Sequence, residues 1–236
     1  MRRHALLFAS LLIGTVLIGG LIAPPVLADK GSKDELEKLQ KAEQVIKESI
    51  NAPDKGIPRD LFEKAECVGV FPDVKKAAFI VGGEWGRGVF TCRQKDGAMG
   101  APAFFTMGGP SIGWQFGGEE TDLILLIMNS EGVKKLLEDH VNIGGEASAA
   151  AGPVGRTAQA GTDLQLHAQI LSWSRSRGLF AGASLEGMVM KPNNSAIEDF
   201  YGKKLEPKDI LVNNTVAVPE AAKSFVTTTT KAARRP

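Results

Sequence analysis

Between Lys33 and Asn51 the apolar residues Leu36, Leu39, Ala42, Ile46 and Ile50 recur every three to four positions, the spacing of one helical stripe. Ser32 and Glu35 stand ahead of them as an S-x-x-E capping box, so the pattern predicts an amphipathic helix to about Asn51. Its polar face mixes Lys33, Lys38, Lys41 and Lys47 with Asp34, Glu35, Glu37, Glu43 and Glu48, a blend suited to solvent and internal ion pairs. A second short helix is expected from Pro58, carrying Leu61 and Phe62. The period then turns β-like. Strands are expected at 67–71, 77–81, 88–93, 111–116 and 121–128, with a turn at Lys95-Asp96-Gly97. Helical spacing returns over 130–139, with Ser130 as cap. Strands over 163–173 and 179–190 follow, then short helices at 195–201 and from Pro219, and a frayed tail over 227–236.

Glycine pairs punctuate the β region: Gly-Gly-Glu occurs at Gly82, Gly117 and Gly144. Paired glycines at strand ends predict bends that curve a sheet. The fold class expected is α+β: a strongly curved, mainly antiparallel sheet or partial barrel with an N-terminal amphipathic helix and short C-terminal helices. From Gly144 to Gly161, 12 of 18 residues are Gly, Ala or Ser, so this stretch cannot fill a core and is expected to bring backbone close to something else.

Arg2 and Arg3 precede an apolar run from Ala5 to Ile22, then Pro24, Pro25 and Val26-x-Ala28. The pattern predicts a signal peptide over 1–28; the alternative is an uncleaved anchor. The remainder reads as a single domain over 29–226 followed by a flexible tail over 227–236. Cleavage removes two arginines and no acid, leaving 26 basic and 27 acidic residues. That balance gives no general field for polyanions, and nucleic acid is excluded as a partner. Export places Cys67 and Cys92 where disulfides persist; they read either as a bonded pair or as two buried thiols.

Catalytic patterns are weak. Gly109 to Gly113 matches G-x-S-x-G around Ser111, but an elbow needs a helix after the serine, and strand-like alternation follows here. The domain keeps His140 and His167 with no metal-ligand spacing, so neither metal nor cofactor is expected. Glycines 82, 83, 86 and 88 around Trp85 lack the G-K-[ST] ending of a phosphate loop and read as a hairpin turn. Glu119 and Glu120 are adjacent and cannot share a strand face. The chain is expected not to be an enzyme.

The stretches IPRDLFEKAECVGVFP, KKAAFIVGGEWGRGV, GGPSIGWQFGGEETDLILLIMN, AAAGPVGR, SRSRGLFAGASLEG and DFYGKK together resemble the SYLF lipid-binding domain family, over about residues 35–225. The resemblance implies a non-enzymatic domain that binds anionic phospholipid, with actin binding in fungal members, through an N-terminal amphipathic segment and basic surface residues. Here the expected helix carries four lysines against five acids, which departs from that pattern. Phospholipid at an envelope membrane surface, in the periplasm or outside the cell, is the expected partner. The alternative is an envelope scaffold that binds a protein and no lipid. Candidate headgroup contacts are Lys75, Lys76, Arg87, Arg156, Arg175, Arg177, Lys203 and Lys204, because guanidinium groups grip phosphate through paired hydrogen bonds and lysine adds a compact charge. For Arg156, a clamp on backbone carbonyls is the competing role. Trp85, Phe104, Phe105, Trp114, Phe116, Trp173 and Phe180 read either as an acyl pocket or as core.

Overall fold

Helix α1 (Lys30–Ile50) buries Leu39, Ala42 and Ile46 of the stripe its spacing predicts, with Val45 beside them, while Leu36 is half-buried and Ile50 exposed. The computed structural model describes residues 30–52, 56–77, 82–111, 119–155, 167–176 and 178–234; the expected signal peptide, Arg156, Arg177, Trp114 and Phe116 lie outside them. Since α1 begins before Ser32, that serine is not the cap, and Glu35 is buried instead of closing a capping box. Helix α2 (Arg59–Lys64) follows Pro58 as expected and inserts Phe62 into the core. The Arg93 guanidinium donates to the carbonyls of Phe62, Glu63 and Ala65, satisfying oxygens that the end of a helix leaves open.

Among the described residues nine strands make one sheet: β1 (Cys67–Ala77), β2 (Gly82–Cys92), β3 (Ala103–Ser111), β4 (Glu119–Ile127), β5 (Val141–Asn142), β6 (Ala149–Ala151), β7 (Ile170–Ser176), β8 (Leu179–Gly182) and β9 (Val189–Pro192). Their order is β5-β9-β3-β2-β1-β4-β7-β6, with β8 also on β7. Every pair is antiparallel except β6 on β7. The sheet curls into a half-barrel, which together with the helices gives the α+β class expected. Its central strands are buried on both faces: Cys67, Val68, Val70 and Phe71 are all 0% exposed. One face packs against helices, with Phe104 edge-on to Phe200; the other carries the edge-to-face series Phe71, Phe90, Phe105.

Several boundaries differ from the expected ones. The glycines around Trp85 are not a hairpin turn but part of β2, where a Cβ at Gly88 would lie 2.5 Å from the Phe71 ring. Phe71 on β1 therefore needs a glycine beside it, and the stretch stays extended. Strand β3 starts at Ala103 and ends at Ser111, where a strand was expected to begin. Helix α3 (Ser130–Leu136) is capped by Asn129, whose side chain accepts from the Gly132 N–H, one residue before the expected cap. The expected strand over 179–190 divides into β8 and β9.

Helix α4 (Asn194–Tyr201) is capped by Asn193 and closed by Gly202 at φ 67°. Helix α5 (Pro207–Leu211) was not expected. The expected flexible tail is corrected: after a 3-10 turn at Glu220–Ala222, α6 (Lys223–Ala232) runs through the four threonines. Their β-branching disfavours helix, but Thr229 is fully buried and back-bonds to the Phe225 carbonyl, while Ser224 and Thr228 donate to Glu43 on α1. Burial alone would push the Glu43 carboxyl up, but hydrogen bonds led by Lys47 and Ser224 outweigh it and hold the group down. Cys67 and Cys92 face each other across β1 and β2 and are disulfide-bonded.

The described middle of the small-residue run, around Gly152, is explained by one side chain. Trp173 on β7 is fully buried, its indole N–H donates to the Pro153 carbonyl, and a Cβ at Gly152 would overlap its ring. Only glycine lets this backbone lie across the indole, and the alanines of β6 let the chain follow β7 closely. Trp173 and Phe105 are therefore core.

Candidate functional site

The charge that matters collects where α1 crosses one end of the sheet. A β-bulge at Pro72–Asp73 inserts one extra residue into β1 relative to both β2 and β4. Asp73 takes a left-handed conformation there, with φ 53°, and its N–H donates to Asp122 at 3.0 Å. The insertion reverses the alternation of β1, so Lys75 pairs with Trp85 and Glu120 on the face beneath α1. Lys76 takes the next register position, between Glu84 and Glu119. The two lysines, grouped together in the sequence reading, are thus separated.

The result is a cleft of about 510 Å³. Helix α1 contributes Lys38 and Lys41, β1 Asp73 and Lys75, β2 Trp85, Gly86 and Arg87, β3 Thr106 and Met107, and β4 Glu120. Four cations thus face two carboxylates. Asp73 is already engaged: it accepts from Lys41 at 2.8 Å and lies 3.8 Å from Lys38. Hydrogen bonds that Lys41 donates to Asp73 and then to Glu37 raise its pKa, whereas burial lowers that of Lys38, against the pull of Asp73. Lys75 is exposed and forms no ion pair among the described residues. Arg87, 48% exposed, lies 3.5 Å from Asp34 and 3.7 Å from Glu35. Glu35 is held above the usual carboxylate range by burial, and its Oε2 has no hydrogen-bond partner among the described residues.

Arg175 belongs elsewhere. Its guanidinium bridges Glu48 on α1 and Asp122 on β4, the latter at 2.6 Å, with only 19% of the side chain exposed. Its charge is engaged in joining helix to sheet, and it is not among the residues lining the cleft. Lys203 and Lys204 are exposed beyond α4 and are not among the residues lining the cleft. In DFYGKK the aromatic pair is structural: the Tyr201 hydroxyl donates to the Pro102 carbonyl at 2.8 Å, and burial raises its pKa. Lys38 and Lys41 belong to the polar face expected to meet solvent and internal ion pairs; Lys41 does pair with Glu37, and both lysines also reach Asp73 on β1. The signal was present in the periodicity, because Lys38 falls within the buried series Glu35, Leu39, Ala42, Val45 and Ile46.

Two other cavities are less charged. One of about 400 Å³ lies at the far end of α1, beside Ser49, Ile57 and Phe62; one of about 570 Å³ lies among Gly144, Ser148, His167 and Glu186. Among the described residues no three His, Cys, Asp or Glu side chains group to hold a metal. Ser111 lies within β3, paired with Gly82.

Residues 108–232 match the family described as Ysc84, Las17-binding protein actin regulator. The chain is 34% identical over 184 residues to LAS seventeen-binding protein 3 of Saccharomyces cerevisiae, covering 76% of this chain and 40% of that protein. It is 33% identical over 193 residues to Protein YSC84 of the same yeast, covering 78% and 41%. The human SH3 domain-containing YSC84-like protein 1 is 31% identical over 184 residues, covering 75% and 54%. The chain thus spans about half or less of the length of these relatives. These similarities place the chain in the Ysc84, or SYLF, family.

Proposed function

We propose that this domain binds anionic phospholipid headgroups in the cleft between α1 and the β1–β2–β3 end of the sheet, without catalysing a reaction. The observation that carries the reading is the gathering of Lys38, Lys41, Lys75 and Arg87 from three elements around one opening, with two carboxylates among them and one of those neutralised. Lys75 supplies a charge that no ion pair among the described residues consumes, and Arg87 supplies the planar fork that suits phosphate. The N-terminal Arg-Arg, apolar run and Val26-x-Ala28 pattern support export to the cell envelope, and the Cys67–Cys92 disulfide fits an oxidising compartment. In an anionic bilayer each basic residue near the surface contributes about 1 kcal/mol.

Co-sedimentation with vesicles tests it. Binding to phosphatidylcholine vesicles containing phosphatidylglycerol, absent with phosphatidylcholine alone and weakening as salt rises from about 50 to 500 mM, is the expected result. The yeast relative's name records a protein partner, Las17, so a protein-binding scaffold is the competing reading. No recruitment to anionic vesicles at low salt would favour it.

A further inference from the structure

We propose that the β1–β2–β3 end of the sheet faces the bilayer directly, with the Trp85 indole entering the headgroup layer of an anionic membrane while the cations of the cleft meet lipid phosphates beside it. The proposal rests on the headgroup reading above and adds an orientation and an anchoring residue to it. Trp85 is 50% exposed, in contrast to Trp173, which is fully buried and hydrogen-bonded through its indole N–H. The Trp85 indole N–H has no partner among the described residues.

The exposure of Trp85 is built into the sheet. Its neighbour across β3 is Gly108, the adjoining pair is Glu84 with Gly109, and a Cβ at Gly83 or Gly108 would only just reach the Trp85 side chain, at 3.9 Å. Glycine opposite Trp85 leaves the β3 side of the indole free of a flanking side chain. A large aromatic held out of the core by its own strand partners loses favourable burial unless another apolar phase receives it.

The surroundings identify that phase. Lys75 is the cross-strand neighbour of Trp85, Arg87 is two residues along the same face, and Lys38 and Lys41 look onto the same opening from α1. An indole beside Lys75 and Arg87, in an opening where four cations outnumber two carboxylates, matches the layered chemistry of a membrane surface, where tryptophan settles at headgroup depth and basic stems lie along apolar surface with their charges at the phosphates. A soluble phosphate compound would use the cations but leave the indole exposed.

Tryptophan fluorescence of the exported protein tests this, using vesicles of phosphatidylcholine and phosphatidylglycerol with bromine on the acyl chains near the headgroup. A Trp114→Phe background leaves Trp85 and the fully buried Trp173 as reporters. Blue-shifted and quenched emission on adding vesicles, absent in Trp85→Phe/Trp114→Phe, is expected. Trp85→Ala should lower vesicle partitioning by roughly tenfold while leaving the melting temperature unchanged. Vesicle binding without quenching of Trp85 overturns the orientation and leaves headgroup recognition standing. No vesicle binding in either background overturns both.

Discussion

Replacing Arg175 by alanine removes the cation shared by Glu48 and Asp122 and leaves two carboxylates facing each other between α1 and β4. Breaking a fully buried pair costs about 3–5 kcal/mol, because the remaining charge has lost both water and partner. The Arg175 side chain is 19% exposed, Asp122 17% and Glu48 36%, so water can reach this cluster and the cost falls to about 2–3 kcal/mol. For a domain of this size each kcal/mol lowers the melting temperature by roughly 2–4 °C, giving a loss of about 4–12 °C. Differential scanning calorimetry measures it. A companion variant, Arg175→Met with Glu48→Gln and Asp122→Asn, removes the stranded charges and should recover much of the loss. Vesicle binding, measured below the melting temperature of each variant, should be unchanged. A protein that keeps wild-type stability as Arg175→Ala but loses vesicle binding would refute the reasoning and return Arg175 to the headgroup contacts.

Three other perturbations probe the frame. Cys67→Ala with Cys92→Ala removes a crosslink spanning 25 residues and should cost about 3–4 kcal/mol by loop entropy, read as a lower urea midpoint; an unchanged midpoint would show the bond does not constrain the unfolded chain. Gly152→Ala drives a methyl into the Trp173 ring and should destabilise by about 1–3 kcal/mol with a red shift in Trp173 emission; wild-type stability would contradict the close approach. For Glu35, burial raises the folded pKa, so its protonated form contributes stability that is complete below about pH 4.3 and lost as pH climbs through the raised value. The Glu35→Gln protein should therefore gain in melting temperature over wild type as pH rises from about 4 to 7; a gap that narrows instead would refute the burial argument.

The amphipathic period of α1 and the fold class were legible because they rest on spacing and composition distributed over many residues. The glycines of β2 were misread because their reason lies across the sheet, in the Phe71 ring that packs over Gly88. The bulge was invisible for a similar reason: Asp73 adopts a positive φ that nothing in Pro-Asp-Val requires, yet it decides which lysine enters the cleft. Among the expected headgroup residues, Lys75 and Arg87 line the cleft, whereas the ion pairs of Arg175 were not legible because both of its partners are distant in sequence. Lys38 and Lys41 were overlooked because acids two to four residues away made them look self-neutralised; the bulge carbonyl of Pro72 and the carboxylate of Asp73 turn them inward.

The most direct test sets charge changes in the cleft against equal changes outside it. Lys75→Glu with Lys41→Gln lowers the local charge by three, and Lys203→Glu with Lys204→Gln does the same beyond α4. Co-sedimentation with vesicles containing phosphatidylglycerol at low salt should fall at least tenfold for the first protein, on the order of 3 kcal/mol at most, and stay within about twofold of wild type for the second. Equal losses in both proteins, or full binding by the cleft variant, would contradict the assignment of the headgroup site.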